Sequence, residues 1–399
     1  MNAPKRLANG SVGGRRRVGA PRAWLSALMP LVLTAAAAAL GYALAIFPIR
    51  HQAKKIHDAE TVGRVIPDAS QRTSMLAAYE RDSGLDVAGL DRIEWKVPTV
   101  MTPFVGYAPA PGRHHNAFID SHQFRGRAQL TTPKPSGVLR IFVTGASVAF
   151  GSGAPSDDRT IGAYLQRVLD RSRAANGRRY EVFTFATPDW WSTHERIAIE
   201  NRISELEPDL VVALTGSEDC SAGESGKNVF WARSATDEYY WELANVALKA
   251  SRFGSMIDVQ DVAPEPVPPE IVASRLRKNL VLAAFALSKA KARLHVFFPP
   301  SIVATRKAPS AHERILSTRS EPLRDYYARC RERVQALFAG DGRPANVALT
   351  DLGGIFDAVP ETESVFLDGD HFGDRGNSMI AEAIGKALFV DDSALFHAP

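Results

Sequence analysis

The stretch VLRIFVTGAS, residues 138–147, decides the predicted fold of this 399-residue chain. It is a short apolar run rich in β-branched residues that ends at Gly145, a pattern typical of a buried parallel strand. An amphipathic segment with apolar positions at helical spacing follows at 160–175, and Asn176 and Gly177 form a stop signal behind it. This region therefore predicts the first strand and the first crossover helix of an α/β domain.

The same alternation continues towards the C-terminus. Further strands are predicted at 180–186, 209–216, 294–300 and 345–352, and further helices at 192–207, 270–290, 323–340 and 378–389. We therefore expect a three-layer α/β/α sandwich with a parallel sheet of about five strands. Ligands of open sheets bind beyond the carboxyl ends of the strands. That rule directs attention to the loops 145–153, 186–193 and 216–221, and to the loop before the last helix.

Ser147 is the candidate nucleophile in the first of these loops. A serine directly behind a strand can present its hydroxyl above the sheet, where backbone N–H groups can receive an oxyanion. Serine is common in strand–helix loops, so its position alone is weak evidence. Competing motifs do not fit this loop: Ala149 breaks the G-x-S-x-G elbow, and Ser156 stands where a dinucleotide fingerprint needs its third glycine.

Asp368 and His371 lie three residues apart in the run FLDGDHFGDRGN, residues 366–377. In a tight loop this spacing lets the carboxylate bind one ring nitrogen while the other nitrogen faces outward, which fixes the tautomer of the imidazole. A calcium-binding loop is excluded by Phe372 and Met379 at its fifth and twelfth positions. The spacing therefore indicates a histidine base and its orienting carboxylate.

Three blocks together resemble the GDSL/SGNH hydrolase superfamily, in its order and roughly its spacing. They are the strand end G145-A-S147, the block PDLVVALTGSED at 208–219, and the D-G-D-H-F run that begins at Asp368. The resemblance covers about 115–390. It implies a flavodoxin-like three-layer hydrolase fold, with Ser147 as nucleophile, His371 as general base and then acid, and Asp368 as the residue that orients His371.

The sequence departs from the family pattern at the oxyanion blocks. Ala146 replaces the aspartate of G-D-S, a small change. Asp189 stands where the family supplies a glycine, so the conformational freedom of glycine is lost while a backbone N–H remains. Glu218 stands where an asparagine would donate to the oxyanion, and an ionised glutamate cannot donate. A protonated Glu218, a Glu218 turned away, or donation by Ser217 and its neighbouring backbone all remain open.

An apolar segment precedes the α/β domain. Residues 23–49 carry no formal charge and are long enough to span a bilayer as a helix. A signal peptide is the competing interpretation, but the sequence after Ile49 does not resemble a cleavage site. We expect a basic cytoplasmic tail at 1–22, an anchor at 23–49, a stalk and N-terminal extension at 50–114, and the hydrolase-like domain at 115–399.

Charge and cysteine content limit the partners. Residues 1–64 carry ten Lys or Arg and two acids, whereas the whole chain has a net charge of +4, so the remainder is mildly acidic. The basic N-terminal flank predicts an inner-membrane protein with a cytoplasmic N-terminus and a periplasmic domain. Nucleic-acid binding is not expected, and neither is a cofactor or a metal. Cys220 and Cys330 could pair in an oxidising compartment, but their spacing does not decide this, and we expect two separate buried thiols.

Three functions follow from this pattern. The first is an esterase or deacetylase that acts on small-molecule or O-acylated glycan esters outside the inner membrane. The second is an O-acyltransferase that uses the same three residues in envelope polysaccharide modification. The third is a non-catalytic binding protein on the same fold, which the altered residues Asp189 and Glu218 would suit. The oligomeric state is not indicated by the sequence.

Overall fold

The computed structural model describes residues 22–62, 69–227, 230, 234–251, 254, 265–320, 324–339 and 343–396. Its strands are β1 (Thr99–Thr102), β2 (Gly106–Pro109), β3 (Gly112–Arg113), β4 (Phe118–Ile119), β5 (Val138–Gly145), β6 (Arg179–Thr184), β7 (Leu210–Leu214), β8 (Arg293–Phe298) and β9 (Val347–Asp351).

Its helices, in chain order, are α1 (Arg22–Val62), α2 (Ala69–Met75), α3 (Val87–Leu90), α4 (Ser147–Phe150), α5 (Ile161–Asn176), α6 (Ser192–Asn201), α7 (Ser217–Glu224), α8 (Ala235–Ser251), α9 (Pro269–Lys289), α10 (Ala311–Ser320), α11 (Arg324–Ala339), α12 (Asp374–Asp391) and α13 (Ser393–Phe396).

The chain divides into two compact units. The smaller contains most of helix α1 and the last residues of α8, and the larger contains the sheet with the rest of the chain. Within α1, Leu28–His51 has a mean hydropathy of 2.0, is not buried, and is long and apolar enough to cross a membrane. A signal sequence would satisfy the same criterion. The predicted cytoplasmic tail lies, apart from Arg22, outside the described residues.

The larger unit is built on one five-stranded sheet in the order β6-β5-β7-β8-β9, with every neighbouring pair parallel. All eight residues of β5 and all five of β7 are buried, which explains why both read as continuous apolar runs rather than alternating ones. Helices α5 and α12 pack together, as do α6, α9 and α11, around the sheet. The expected α/β architecture with about five parallel strands is confirmed.

The order of the strands creates a switch point between β5 and β7. The chain runs from β5 outward to β6 and then returns to the other side of β5 to form β7. Loops that leave the carboxyl ends of β5 and β7 therefore diverge and open a crevice, where ligands of such sheets bind. The loop after β5 carries Ser147 and the loop after β7 carries Glu218.

Several predicted boundaries were wrong. The helix expected at 192–207 ends at Asn201, because Arg202 leaves helical geometry and donates from its guanidinium to His122 O and Gln123 Oε1, both at 2.7 Å. A 3₁₀ turn follows at Ile203–Leu206. Helix α12, which was predicted to begin at 378, begins at Asp374. Helices α8 and α10 and the short strands β1 to β4 were not predicted.

Cys220 and Cys330 form a disulfide across a sequence separation of 110 residues. The expectation of two separate thiols was therefore wrong. Cys220 lies in α7 and Cys330 in α11, two helices that pack against each other, and this long-range contact leaves no trace in the cysteine spacing. The bond attaches α7, which begins one residue before Glu218, to the outer helical layer.

We expect replacement of Cys220 and Cys330 by serine to lower the free energy of unfolding by about 2–5 kcal/mol, because the crosslink restricts the unfolded chain. Urea denaturation of the variant and of the wild type without reductant measures the difference. Dithiothreitol should bring the wild type to the stability of the variant, since the chain has no other cysteines. Equal stability of oxidised wild type and variant would contradict the disulfide.

Candidate active site

Ser147 occupies a sharp turn at the end of β5. Gly145 there has φ +146°, and a Cβ at this position would lie 2.3 Å from Leu214 O and 2.8 Å from Ala149 Cβ. Only glycine fits, so the end of β5 approaches β7 closely. Two residues later Ser147 begins the single-turn helix α4, with 8% of its surface exposed. The serine is thus placed at the switch point, largely shielded from bulk water.

The segment behind Ser147 is held by backbone contacts and by Arg125. Ser147 O accepts hydrogen bonds from Gly151 N and Ser152 N, both at 2.9 Å. Arg125 is buried and donates from Nη1 to Phe150 O at 2.9 Å and to Gly151 O at 2.8 Å. A cation at the last carbonyls of a helix is a favourable placement. Arg125 therefore fixes the turn that carries Ser147.

Asp368 and His371 are brought together by their loop. His371 Nδ1 lies 2.7 Å from Asp368 Oδ2 and 2.9 Å from Oδ1, and Oδ1 also accepts from the backbone N–H of His371 at 2.8 Å and of Asp370 at 3.0 Å. Burial alone would raise the pKa of Asp368, but His371 and these hydrogen bonds outweigh it and lower the pKa to about 2. The carboxylate is therefore ionised and orients the imidazole.

The other ring nitrogen of His371 is unoccupied. Nε2 is buried and has no hydrogen-bond partner among the described residues. Burial lowers the pKa of His371, but Asp368, Asp370 and Glu218 together raise it to about 9. No hydrogen bond joins His371 to Ser147 within the described chain. The structure thus places the Asp368–His371 pair and Ser147 on separate loops of the same sheet edge without linking them directly.

Trp95, which was not predicted as a site residue, contacts both the loop that carries His371 and the loop that follows Ser147. Its ring meets the His371 ring edge-on at 5.3 Å between centroids, and its carbonyl accepts a hydrogen bond from Ser152 Oγ. Tyr79 OH donates to Gly153 O at 2.8 Å. Both aromatics come from the segment interpreted as a stalk and extension, where only their large apolar side chains could have signalled a role. That segment forms part of the surroundings of the site.

Asp189 keeps the backbone conformation that a glycine would provide. Its φ is +68°, in the left-handed region, where aspartate is found more often than most residues. Its carboxylate accepts hydrogen bonds from Lys96 Nζ and from Thr236 Oγ1, the latter at 3.0 Å. Asp189 therefore adopts a left-handed backbone without the conformational freedom of glycine, while two donors hold its side chain.

Glu218 is the second residue of α7, half-buried at the mouth of the switch point. Burial, followed by the charges of Asp370 and Asp189, raises its pKa to about 8, with His371 acting in the opposite direction. A protonated Glu218 was one of the alternatives that the sequence left open. This pKa favours the protonated form at neutral pH, because burial and the neighbouring carboxylates disfavour the charge.

The loops after β6 and β7 are joined beneath the site by a buried polar network. Asp219 Oδ1 accepts from Ser192 Oγ at 2.6 Å, and Asp219 Oδ2 accepts from Ser192 N at 3.1 Å. Asn279 of α9 donates to Ser192 Oγ at 2.8 Å. These bonds connect the N-terminal turns of α6 and α7, so Asp189 and Glu218 are held in a fixed relation.

Within the described part of the chain, no group of three or more His, Cys, Asp and Glu side chains is arranged to hold a metal ion. The polar atoms at the sheet edge are those of the serine, the histidine and the carboxyls described above. Their chemistry is that of proton transfer and nucleophilic attack.

Comparison with known proteins found solved structures only. No family model matches the chain, and no curated protein matches it. An acetyl xylan esterase is 15% identical with a TM-score of 0.36, covering 63% of this chain and 100% of its own. A GDSL-like lipase from Parabacteroides merdae is 12% identical with a TM-score of 0.38, at 62% and 94% coverage. A lipase from a goat rumen metagenome is 13% identical with a TM-score of 0.36, at 62% and 97% coverage.

We expect Asp368→Asn to lower the pKa of His371 from about 9, because the largest stabiliser of the imidazolium loses its charge. Titration of the His371 ring by NMR measures the shift. Asp391→Asn, which removes a carboxylate near the buried His295 instead, is the matched control and should leave the His371 titration in place. An unchanged His371 pKa in Asp368→Asn would contradict the pairing.

Proposed function

We propose that this chain is a serine ester hydrolase that works through an acyl-enzyme on Ser147. The observation that carries the proposal is the Asp368–His371 pair, whose free Nε2 atom lies at the same sheet edge as a shielded serine on a turn that requires glycine at position 145. A serine needs a nearby base to become a nucleophile, and a base needs an orienting partner. Each of these parts is present among the described residues.

In the first half-reaction Ser147 Oγ adds to the carbonyl carbon of the ester, and its proton passes to Nε2 of His371. The carbonyl electron pair moves onto oxygen and forms a tetrahedral oxyanion. The carbonyl then reforms, the bond to the alkoxy oxygen breaks, and His371 gives its proton to the leaving alcohol. Asp368 remains ionised and stabilises the imidazolium between these two steps.

In the second half-reaction an acceptor takes the place of the alcohol. When the acceptor is water, His371 removes its proton and the hydroxyl adds to the acyl carbon. The bond to Ser147 Oγ then breaks, His371 returns the proton to Ser147 Oγ, and the acid is released. When the acceptor is a sugar hydroxyl, the same steps transfer the acyl group. We propose hydrolysis of small-molecule or O-acylated glycan esters as the main reaction.

We propose that the catalytic domain lies outside the inner membrane, attached through residues 23–49. Two observations support this location. Helix α1 contains a stretch apolar enough to span a bilayer, preceded in the sequence by six Lys or Arg. Furthermore, the Cys220–Cys330 disulfide is of a kind that persists in oxidising compartments and is rare in the cytoplasm.

A fluorophosphonate probe tests the nucleophile. We expect covalent labelling of the wild type, none of Ser147→Ala, and labelling slowed by orders of magnitude in His371→Ala, because the serine loses its base. Ser217→Ala is a matched control, since Ser217 is also 8% exposed and also begins a helix directly after a buried strand. Labelling that persists in Ser147→Ala, or that is absent from the folded wild type, would exclude the mechanism.

A reporter fusion tests the location. We expect alkaline phosphatase fused behind Phe396 to be active in intact cells, because the enzyme needs an oxidising compartment to form its disulfides. The same fusion with residues 23–49 deleted should be inactive and soluble. Activity without the segment would contradict the anchor, and a shortened mature N-terminus by mass spectrometry would identify a cleaved signal peptide instead.

A further inference from the structure

We propose that Glu218 acts as a neutral carboxylic acid that donates its O–H to the carbonyl oxygen of the substrate as charge develops there. The inference rests on the proposed acyl-enzyme function of Ser147. It gives this site an oxyanion donor in the position where the resembled family supplies an asparagine amide.

The position of Glu218 follows from the sheet. Gly145 of β5 and Leu214 of β7 are register partners. Ser147 lies two residues beyond the first, and Glu218 four residues beyond the second. Gly216 makes the intervening turn at φ +103°, with its α-carbon packed so closely that an added Cβ would lie 2.6 Å from Phe298. The two loops therefore leave the sheet at neighbouring strand ends, one carrying Ser147 and the other carrying Glu218.

Groups from three elements act on the charge of the Glu218 carboxyl. Asp189 comes from the loop after β6, Asp370 and His371 from the loop before α12, and Asp219 from its own helix. Glu218 in turn acts on Glu195 of α6, Tyr327 of α11 and Tyr107 of β2. Three loops thus converge on this side chain, as they must around an oxyanion site.

The surroundings favour the proton on Glu218. Asp189, Asp370 and Asp219 are acidic neighbours, and Glu218 is withdrawn from water. His371 and the N-terminal position in α7 favour the ionised form of Glu218. Burial and the acidic neighbours outweigh both of them. Furthermore, the described residues make no hydrogen bond to the Glu218 side chain, so its O–H is not engaged by the protein. A carboxylic acid kept neutral by its site is an effective hydrogen-bond donor to an oxyanion.

The donor moves no proton in the reaction. When Ser147 Oγ adds to the ester carbon, the carbonyl electron pair moves to oxygen and the Glu218 O–H hydrogen-bonds to it. When the carbonyl reforms and the alkoxy bond breaks, that hydrogen bond weakens again and Glu218 keeps its proton. The Ser147 proton travels separately, through His371 to the leaving alcohol.

The active form therefore needs a proton on Glu218 and none on His371. Because these two groups interact, they titrate as a pair in the alkaline range. Activity should rise with pH as His371 loses its proton and fall again as Glu218 loses its own, by about tenfold per pH unit on the falling side. A site with an amide donor would show only the rising side.

Variants of Glu218 test the donor with p-nitrophenyl acetate, after subtraction of the Ser147→Ala rate at each pH. We expect Glu218→Ala to lose about 10²–10³ in kcat at the pH where the wild type is most active. Glu218→Gln keeps a donor that cannot ionise, so the falling side of the profile should disappear. Its rising side should not move to lower pH, because the rising side in the wild type already reports His371 beside a neutral Glu218. Glu224→Gln, at the far end of the same helix, is the matched control and should keep the wild-type profile.

The outcomes distinguish the proposed donor role of Glu218 from the proposed acyl-enzyme function on which it rests. A wild type labelled at Ser147 whose Glu218→Ala variant is folded and fully active would overturn the donor role alone. The donor role would also be overturned if Glu218→Gln lost as much activity as Glu218→Ala while the wild-type profile kept its falling side. A folded wild type that is not labelled at Ser147 would overturn the acyl-enzyme function itself. Thermal denaturation of each variant establishes that it is folded.

Discussion

The close approach of β5 and β7 at Gly145 is the constraint on which the site depends. A side chain at this position would overlap Leu214 O, so the two strand ends can lie together only when residue 145 is glycine. The chain then turns at once into α4, which leaves Ser147 directly above the sheet. If the strands separated, the turn would widen and Ser147 would move away from the loop of β7.

Other interactions preserve this geometry from outside. Arg125 ties α4 to the strand β4 region through the carbonyls of Phe150 and Gly151. On the opposite side, the Cys220–Cys330 bond and the Asp219–Ser192 hydrogen bonds hold α7. The two walls of the crevice are therefore fixed independently of each other. A rigid crevice is what an oxyanion site requires, because its donors must be in place before the charge appears.

The sequence predicted the parts of this arrangement that depend on local pattern. Buried parallel strands read as apolar runs, so β5 to β9 were placed within a few residues. The three-residue spacing of Asp368 and His371 likewise predicts a short loop. By contrast, the Cys220–Cys330 pair and Trp95 depend on contacts between distant segments, for which a single sequence carries no periodic signal. The protonation state of Glu218 could not be predicted either, because its pKa is set by burial and by neighbours from two other loops and from its own helix.

Asp189 and Glu218 are physically connected at the sheet edge. A second carboxylate at a site that must stabilise an oxyanion would ordinarily be unfavourable. Here Asp189 pairs with Lys96, which limits its repulsion of the reaction, while its charge still contributes to holding the proton on Glu218. Asp189 therefore favours the neutral acid that can replace an amide donor. The salt bridge of Asp189 with Lys96 and the hydrogen-bond donor proposed at Glu218 then belong to one cluster of interacting side chains.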